Sequence, residues 1–125
     1  MIEELHRLIQ IVRKLRAPDG CDWDNIQTSK SLIPYLLEET YEVIEAIEKE
    51  DSILLKEELG DLLLHVIFQS EIASENNLFQ FSDSIRHISN KLVDRHPHIF
   101  NNNKDESYKK GNWELSKQRE KKRKY

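Results

Sequence analysis

The chain has 125 residues, of which 38% are apolar and 34% charged, with a formal net charge of -4. That length suits one domain with a single core, and the charge content suits helices with solvated outer faces. A lone cysteine, Cys21, excludes an internal disulfide framework. No apolar run approaches the ~20 residues of a membrane span, and three Gly with three Pro leave little turn chemistry for a many-stranded sheet.

Ile2, Leu5, Leu8, Ile9, Val12 and Leu15 recur at helical spacing with charges between them, which predicts a first amphipathic helix ending near Ala17 to Gly20. The same alternation does not read as a signal peptide, so a soluble, cytoplasmic protein is expected. A polar connection, CDWDNIQTSKS, follows. A second helix is predicted from about Leu32 to Lys49, with Pro34 in its first turn and Ser31 as its cap. Asp51 or Ser52 caps a third, which runs to about Ser74. After the connection ENNLFQFSD, a fourth helix covers about Asp83 to Arg95 and ends at HPHIF. NNNKDES reads as a loop. The last segment, from about Lys109, has helical composition but almost no apolar stripe, so it needs something to dock on. The fold expected is an all-α antiparallel bundle of about four helices plus this C-terminal segment, as one domain over 1–125.

Charge is unevenly spread. Residues 117–124, KQREKKRK, carry a net +5, so the remainder sums to -9. An acidic body with a basic tail fits a cation bound in the body and an anion near the tail. A solvated, fraying terminus would look the same.

The acids themselves are the main signal. At ~100° per residue, Ile33, Leu36, Leu37, Thr40, Val43, Ile44 and Ile47 fall within one arc of about 120° on the second helix. Glu38 and Glu45 lie opposite, towards solvent. Glu39 lies about 40° outside the arc, and Glu42 follows one turn later on the same shoulder. On the third helix Leu55, Leu59, Leu62, Leu63 and Val66 define the apolar face, and Glu58 falls within about 40° of Leu62, with Asp61 on the same side. A carboxylate in the core stripe must be protonated, paired or metal-bound. Gly60, between these acids, costs about 1 kcal/mol relative to Ala, which is explained if a helix or ligand approaches closely. Two acidic pairs at i, i+3 make an oxygen cage suited to Mg²⁺, with Mn²⁺ as a substitute. Neither acidic helix carries a Glu-x-x-His pair, which argues against the ferritin-like di-iron pattern. His65 reads as a core or supporting histidine rather than a ligand.

Glu38-Glu39-x-x-Glu42, followed after fifteen residues by Glu58-x-x-Asp61, resembles the MazG family of nucleoside triphosphate pyrophosphohydrolases. RAPDGCDWDNIQT looks like the loop that opens that family's domain. PYLLEETYEVIEAI and EELGDLLLHVIFQSEIA look like its two metal-bearing helices, and KLVDRHPHIF and NWELSKQRE like its C-terminal signature. The resemblance implies an all-α fold and Mg²⁺-dependent hydrolysis of a nucleoside triphosphate to monophosphate and pyrophosphate, with assembly into a homodimer or homotetramer. Carried over by position, Glu39, Glu42, Glu58 and Asp61 are metal ligands, while Lys91, Arg95, Trp113 and Lys117 contact the triphosphate or nucleotide. Asp22 departs from the proline usual between the cysteine and the tryptophan.

The residues support the same chemistry on their own. A triphosphate carries about four negative charges, and four carboxylates can meet it only through cations and basic side chains. Lys91 and Arg95 stand i, i+4 on one helix face, and Lys117 stands one turn after Trp113. Trp23 and Trp113 are each either core anchors or nucleotide contacts. Glu38 or Glu39 could take the proton of an attacking water, and the sequence does not choose between them. Two other classes fit less of the pattern. One is a non-catalytic helical module that binds a structural cation. The other is a nucleic-acid binder using the basic tail, against which the acidic body and the lack of a binding motif weigh.

Overall fold

The structure is a computed structural model and describes residues 1–100. It divides into two compact units, Met1–Phe81 and Ser82–Tyr125. All regular structure among the described residues is helical: α1 (Ile2–Arg16), α2 (Asp22–Asn25), α3 (Ile33–Glu48), α4 (Ser52–Glu75), α5 (Phe81–Arg95) and α6 (Pro97–Phe100). The four long helices fall where the periodicity predicts them. The two short ones, α2 within CDWDNIQTSKS and α6 within HPHIF, are too brief for a periodic pattern to reveal.

The first unit is built on the α3–α4 hairpin. Its link is three residues, closed by Asp51 N–H donating to the Ala46 carbonyl (3.2 Å) and Glu50 N–H to that of Ile47 (3.1 Å), with Glu50 at φ 53°. This is the paired-bond ending that usually favours glycine. Asp51 then caps α4 as expected, its carboxylate accepting from Ile53 N–H and Leu54 N–H, both at 3.1 Å. Ser31 does not cap α3. The cap position is Leu32, without a side-chain bond, and Ser31 is held in its own turn, accepting from Thr28 N–H (2.8 Å) and donating to Gln27 Oε1 (2.7 Å).

α1 lies across α4. Val12, Leu32, Ile67, Phe68 and Ile72 form the buried core, with Leu5, Leu8, Ile9, Leu64 and Phe81 packed around it. Two ion pairs join the same helices, Arg13 to Glu71 at 3.0 Å and Arg16 to Glu75 at 2.9 Å. Gly20 closes the turn after α1 by close approach, since a Cβ there would sit 2.3 Å from the Lys14 carbonyl oxygen. Asp22 is the first residue of α2, so the missing proline is replaced by another residue type suited to a first turn.

The hairpin is rolled relative to the sequence expectation. On α3 the buried positions are Val43 and Ala46, whereas Ile33, Leu37, Ile44 and Ile47 are exposed. On α4 Leu59, Leu63 and Val66 are exposed, and the closed positions are Ile67, Phe68, Ile72 and Ala73. Each helix is thus turned by about 90° from its apolar arc towards its acidic shoulder. Because the helices run antiparallel, both uncovered stripes fall on the same side of the hairpin, opposite α1. Gly60 is not explained by packing among the described residues, because a Cβ there would meet none of them within 4 Å.

Candidate metal centre and adjoining cavity

The quarter turn that uncovers the apolar stripes points the carboxylates at each other. Glu39 and Glu42 on α3 and Glu58 and Asp61 on α4 each offer an oxygen, and these oxygens lie within 4.8 Å of one another. Both pairs are spaced i, i+3, so two adjacent turns of each helix contribute. Glu39, Glu42 and Glu58 are half-buried and Asp61 is exposed, so the group has a closed inner side and an open outer one.

Among the described residues, Glu39 Oε2 and Glu58 Oε2 are buried without a hydrogen-bond partner. The bond that Glu58 shares with Glu42, followed by burial, pushes its pKa up to about 7. Burial, then the Glu42 and Asp61 charges, raises that of Glu39. Like charges gathered away from water destabilise one another until a proton or a cation joins them. A hard divalent ion takes such oxygens at about 2.0–2.6 Å, which their spacing allows with small side-chain adjustments. The donor set, all oxygen, fits Mg²⁺ or Mn²⁺.

The electrostatics have a measurable consequence in metal-free protein. Between the ordinary carboxylate pKa and about 7, folded Glu58 holds a proton that the unfolded chain has lost. Stability therefore falls as pH rises through this window. Thermal melts in chelator should show Tm decreasing from pH 5 to pH 8. Glu58→Gln should flatten the decrease, and Mg²⁺ should restore Tm mainly at the alkaline end. A Tm that climbs with pH in the wild-type protein would contradict this account.

Next to the cluster is a cavity of about 390 Å³ lined by Trp23, Asp24, Leu32, Tyr35, Glu38, Glu39, Leu64, His65 and Phe68. Trp23 and Tyr35 meet edge to face, with ring centres 5.6 Å apart at 86°. Glu39 belongs both to the cavity wall and to the carboxylate cluster, so the two are contiguous. His65 Nδ1 is buried without a hydrogen-bond partner among the described residues, and burial holds the ring's pKa below its usual value. Glu38 is on the wall but outside the cluster.

The structure brings the four acids predicted from sequence, Glu39, Glu42, Glu58 and Asp61, together, and sets Trp23, which the sequence leaves as core anchor or nucleotide contact, on the wall of the adjoining cavity. Sequence reasoning treats His65 as core and does not single out Tyr35. The available signal was Tyr35 one turn before Glu39 on the same shoulder, and His65 one turn after Asp61. Lys91 and Arg95 belong to the second unit, on one face of α5, where Lys91 is half-buried and Arg95 is buried. Trp113 and Lys117 lie outside the described residues, as does the tail from 109.

The unit is an all-helical one that aims two i, i+3 carboxylate pairs across a hairpin beside an aromatic cavity, an arrangement that could hold a divalent cation. Residues 27–100 match the family model described as the MazG nucleotide pyrophosphohydrolase domain, and the chain belongs to that family. It is 50% identical over 114 residues to the nucleoside triphosphate pyrophosphohydrolase/pyrophosphatase MazG of Thermotoga maritima, covering 91% of this chain and 44% of that one. It is 48% identical over 100 residues to the nucleoside triphosphate pyrophosphohydrolase of Escherichia coli, covering 79% and 38%. The chain therefore spans less than half the length of these relatives. A crystal structure of a MazG-related protein from Thermotoga maritima superposes with a TM-score of 0.69 at 29% identity, covering 93% of this chain and 98% of that one.

Proposed function

We propose that the protein hydrolyses nucleoside triphosphates to the monophosphate and pyrophosphate, with Mg²⁺ as its cofactor and nucleotide-pool housekeeping in the cytoplasm as its role. The single observation that carries this is the cluster of four carboxylates with two buried, unpartnered oxygens, open on one side and contiguous with an aromatic cavity. Membership of the family and the names of the two relatives support the same reading.

In this reading Glu39, Glu42, Glu58 and Asp61 hold the divalent ion. When bound, the ion supplies charge neutralisation at the attacked phosphoryl group. Trp23 and Tyr35 offer ring faces and edges to the base, and His65 a neutral ring nitrogen to the nucleoside. Glu38 takes the proton of the attacking water, a role that suits a carboxylate on the cavity wall and outside the ion's ligand set. The water oxygen bonds to the α-phosphorus, its proton goes to the carboxylate, and the bond to the β-phosphate oxygen breaks to release pyrophosphate. Lys91, Arg95 and, from the tail, Lys117 balance the triphosphate charge, and Trp113 packs against the nucleotide. We also propose that the chain acts as one domain and as a homodimer or a homotetramer built from such dimers. No helix among the described residues is long and apolar enough to cross a membrane.

A panel of nucleoside triphosphates with Mg²⁺, assayed for both products, tests the reading. Equimolar monophosphate and pyrophosphate are expected. Binding of Mn²⁺ without release of pyrophosphate from any member would favour the non-catalytic metal-binding module instead.

A further inference from the structure

We infer that Arg16 is a positioning residue for the nucleoside end of the site, setting the Trp23 wall of the cavity through its guanidinium; this rests on the cavity being the nucleoside site proposed above. Arg16 is the last residue of α1, remote in sequence from the acidic motifs, and its side chain is 9% exposed. Its Nη1 donates to two carbonyls of the Trp23 segment, that of Asp24 at 2.7 Å and that of Gln27 at 3.0 Å. Its Nε donates to the Glu75 carboxylate at 2.9 and 3.1 Å. Its Cζ lies 5.2 Å from the centre of the Phe68 ring. Asp24 and Phe68 both line the cavity, so one buried cation braces a side wall and the floor from behind.

The segment needs such a brace. α2 is four residues long, below the length at which a helix sustains itself, and Trp23 is half exposed. Of the described hydrogen bonds that tie 22–27 to the rest of the unit, the two from Arg16 are joined by Asn25 Nδ2 to the Ala17 carbonyl at 3.3 Å, Ser31 Oγ to Gln27 Oε1 at 2.7 Å and Asn25 N–H to the adjacent Cys21 carbonyl at 2.9 Å, and only Arg16 links the segment to α4 as well. Gln27 Nε2 donates to the Trp23 carbonyl at 2.9 Å, but this bond lies within the segment. The planar fork of arginine serves Glu75 and two carbonyls at once. A lysine ammonium, a point charge on a flexible stem, cannot hold all three in that geometry.

The alternative is that Arg16 merely fastens α1 to α4. The two are separated by a double-mutant cycle of Arg16→Lys and Trp23→Ala, with far-UV circular dichroism on each variant. If Arg16 acts through Trp23, Arg16→Lys raises KM for a nucleoside triphosphate about tenfold with kcat changed less than twofold. In the Trp23→Ala background the same change then leaves KM unaltered. Arg16→Lys should also make Trp23 more accessible to acrylamide without nucleotide, measured with Trp113→Phe to isolate its fluorescence. An unchanged KM and unchanged quenching in Arg16→Lys, while Trp23→Ala raises KM, would overturn the inference and leave the cavity assignment standing. So would fully additive effects on KM. Loss of the helical spectrum in Arg16→Lys would also overturn it, since Arg16 would then hold the fold and not the wall. If Trp23→Ala itself leaves KM unaltered, the nucleoside assignment of the cavity fails first and the inference goes with it.

Discussion

Glu58→Gln and Asp61→Asn should each abolish turnover while leaving the helical fold intact. The expected loss in kcat/KM is about 10³-fold or more, because removing roughly 4 kcal/mol of charge stabilisation at the reacting phosphoryl group corresponds to that factor. The substitutions keep size and hydrogen-bonding shape, so packing of the hairpin is preserved. Glu58→Gln should also make the metal-free protein more stable above pH 7, since it removes a carboxylate whose ionisation is opposed by Glu42, by burial and by Glu39. The combination matters. A residue needed only for folding would lose activity and stability together, whereas a ligand held in a repulsive cluster loses activity and gains stability. Calorimetric titration with Mn²⁺ gives the third readout, with weakened binding in both variants. Full activity in either variant would end the assignment of the cage.

The main features of the site were legible because they depend on residue type and spacing. Acidic residues at i, i+3 on two neighbouring helices, with one of them beside an apolar stripe, admit few explanations, and the structure brings those four together. The roll of the hairpin was not legible. Periodicity reports which residues are apolar. It does not report which stripe will be covered, and here Ile33, Leu37, Ile44, Leu59 and Leu63 stay open while Glu39 and Glu58 turn inward. The surroundings of Gly60 were not legible for a similar reason, since the cost of a glycine can be read from sequence but the space around it cannot, and no described residue would meet a Cβ there. Ser31 as a cap failed because Thr28 and Gln27 offer its hydroxyl closer partners in a preceding turn. The role of Arg16 had no sequence signature at all: its partners are backbone carbonyls eight and eleven residues on, and a carboxylate 59 residues away.

These two outcomes have one physical origin. A helix with an apolar arc and an acidic shoulder can bury only one of them against a single neighbour. α3 and α4 face each other with shoulders carrying Glu39, Glu42, Glu58 and Asp61, which binding of a cation can stabilise. The apolar arcs are left for another surface. Ile33, Leu37, Ile44, Ile47, Leu59, Leu63 and Val66 are all exposed on one side of the hairpin, and a contiguous apolar face of this kind marks an interaction surface.

A second copy of the chain is the simplest cover for that face, and the wild-type protein should sediment as a dimer, or as a tetramer of such dimers, at micromolar concentration. Two-fold pairing would set each hairpin's stripe against its twin, so every residue near the axis is used twice. That doubling makes the interface sensitive to single changes. Ile44 lies midway along the α3 stripe and is 43% exposed in the single chain, so its substitution costs the folded protomer little. Ile44→Glu would place two like charges in one desolvated interface, with an expected cost of several kcal/mol per dimer. A loss of about 3 kcal/mol already raises the dissociation constant more than 100-fold. Sedimentation velocity should therefore show the assembly giving way to monomer at 10 µM or so, with circular dichroism unchanged. Ile44→Leu, which keeps the apolar contact, should stay assembled. If the wild-type chain sediments as a monomer across the micromolar range and is fully active, the open stripe is not a self-association surface.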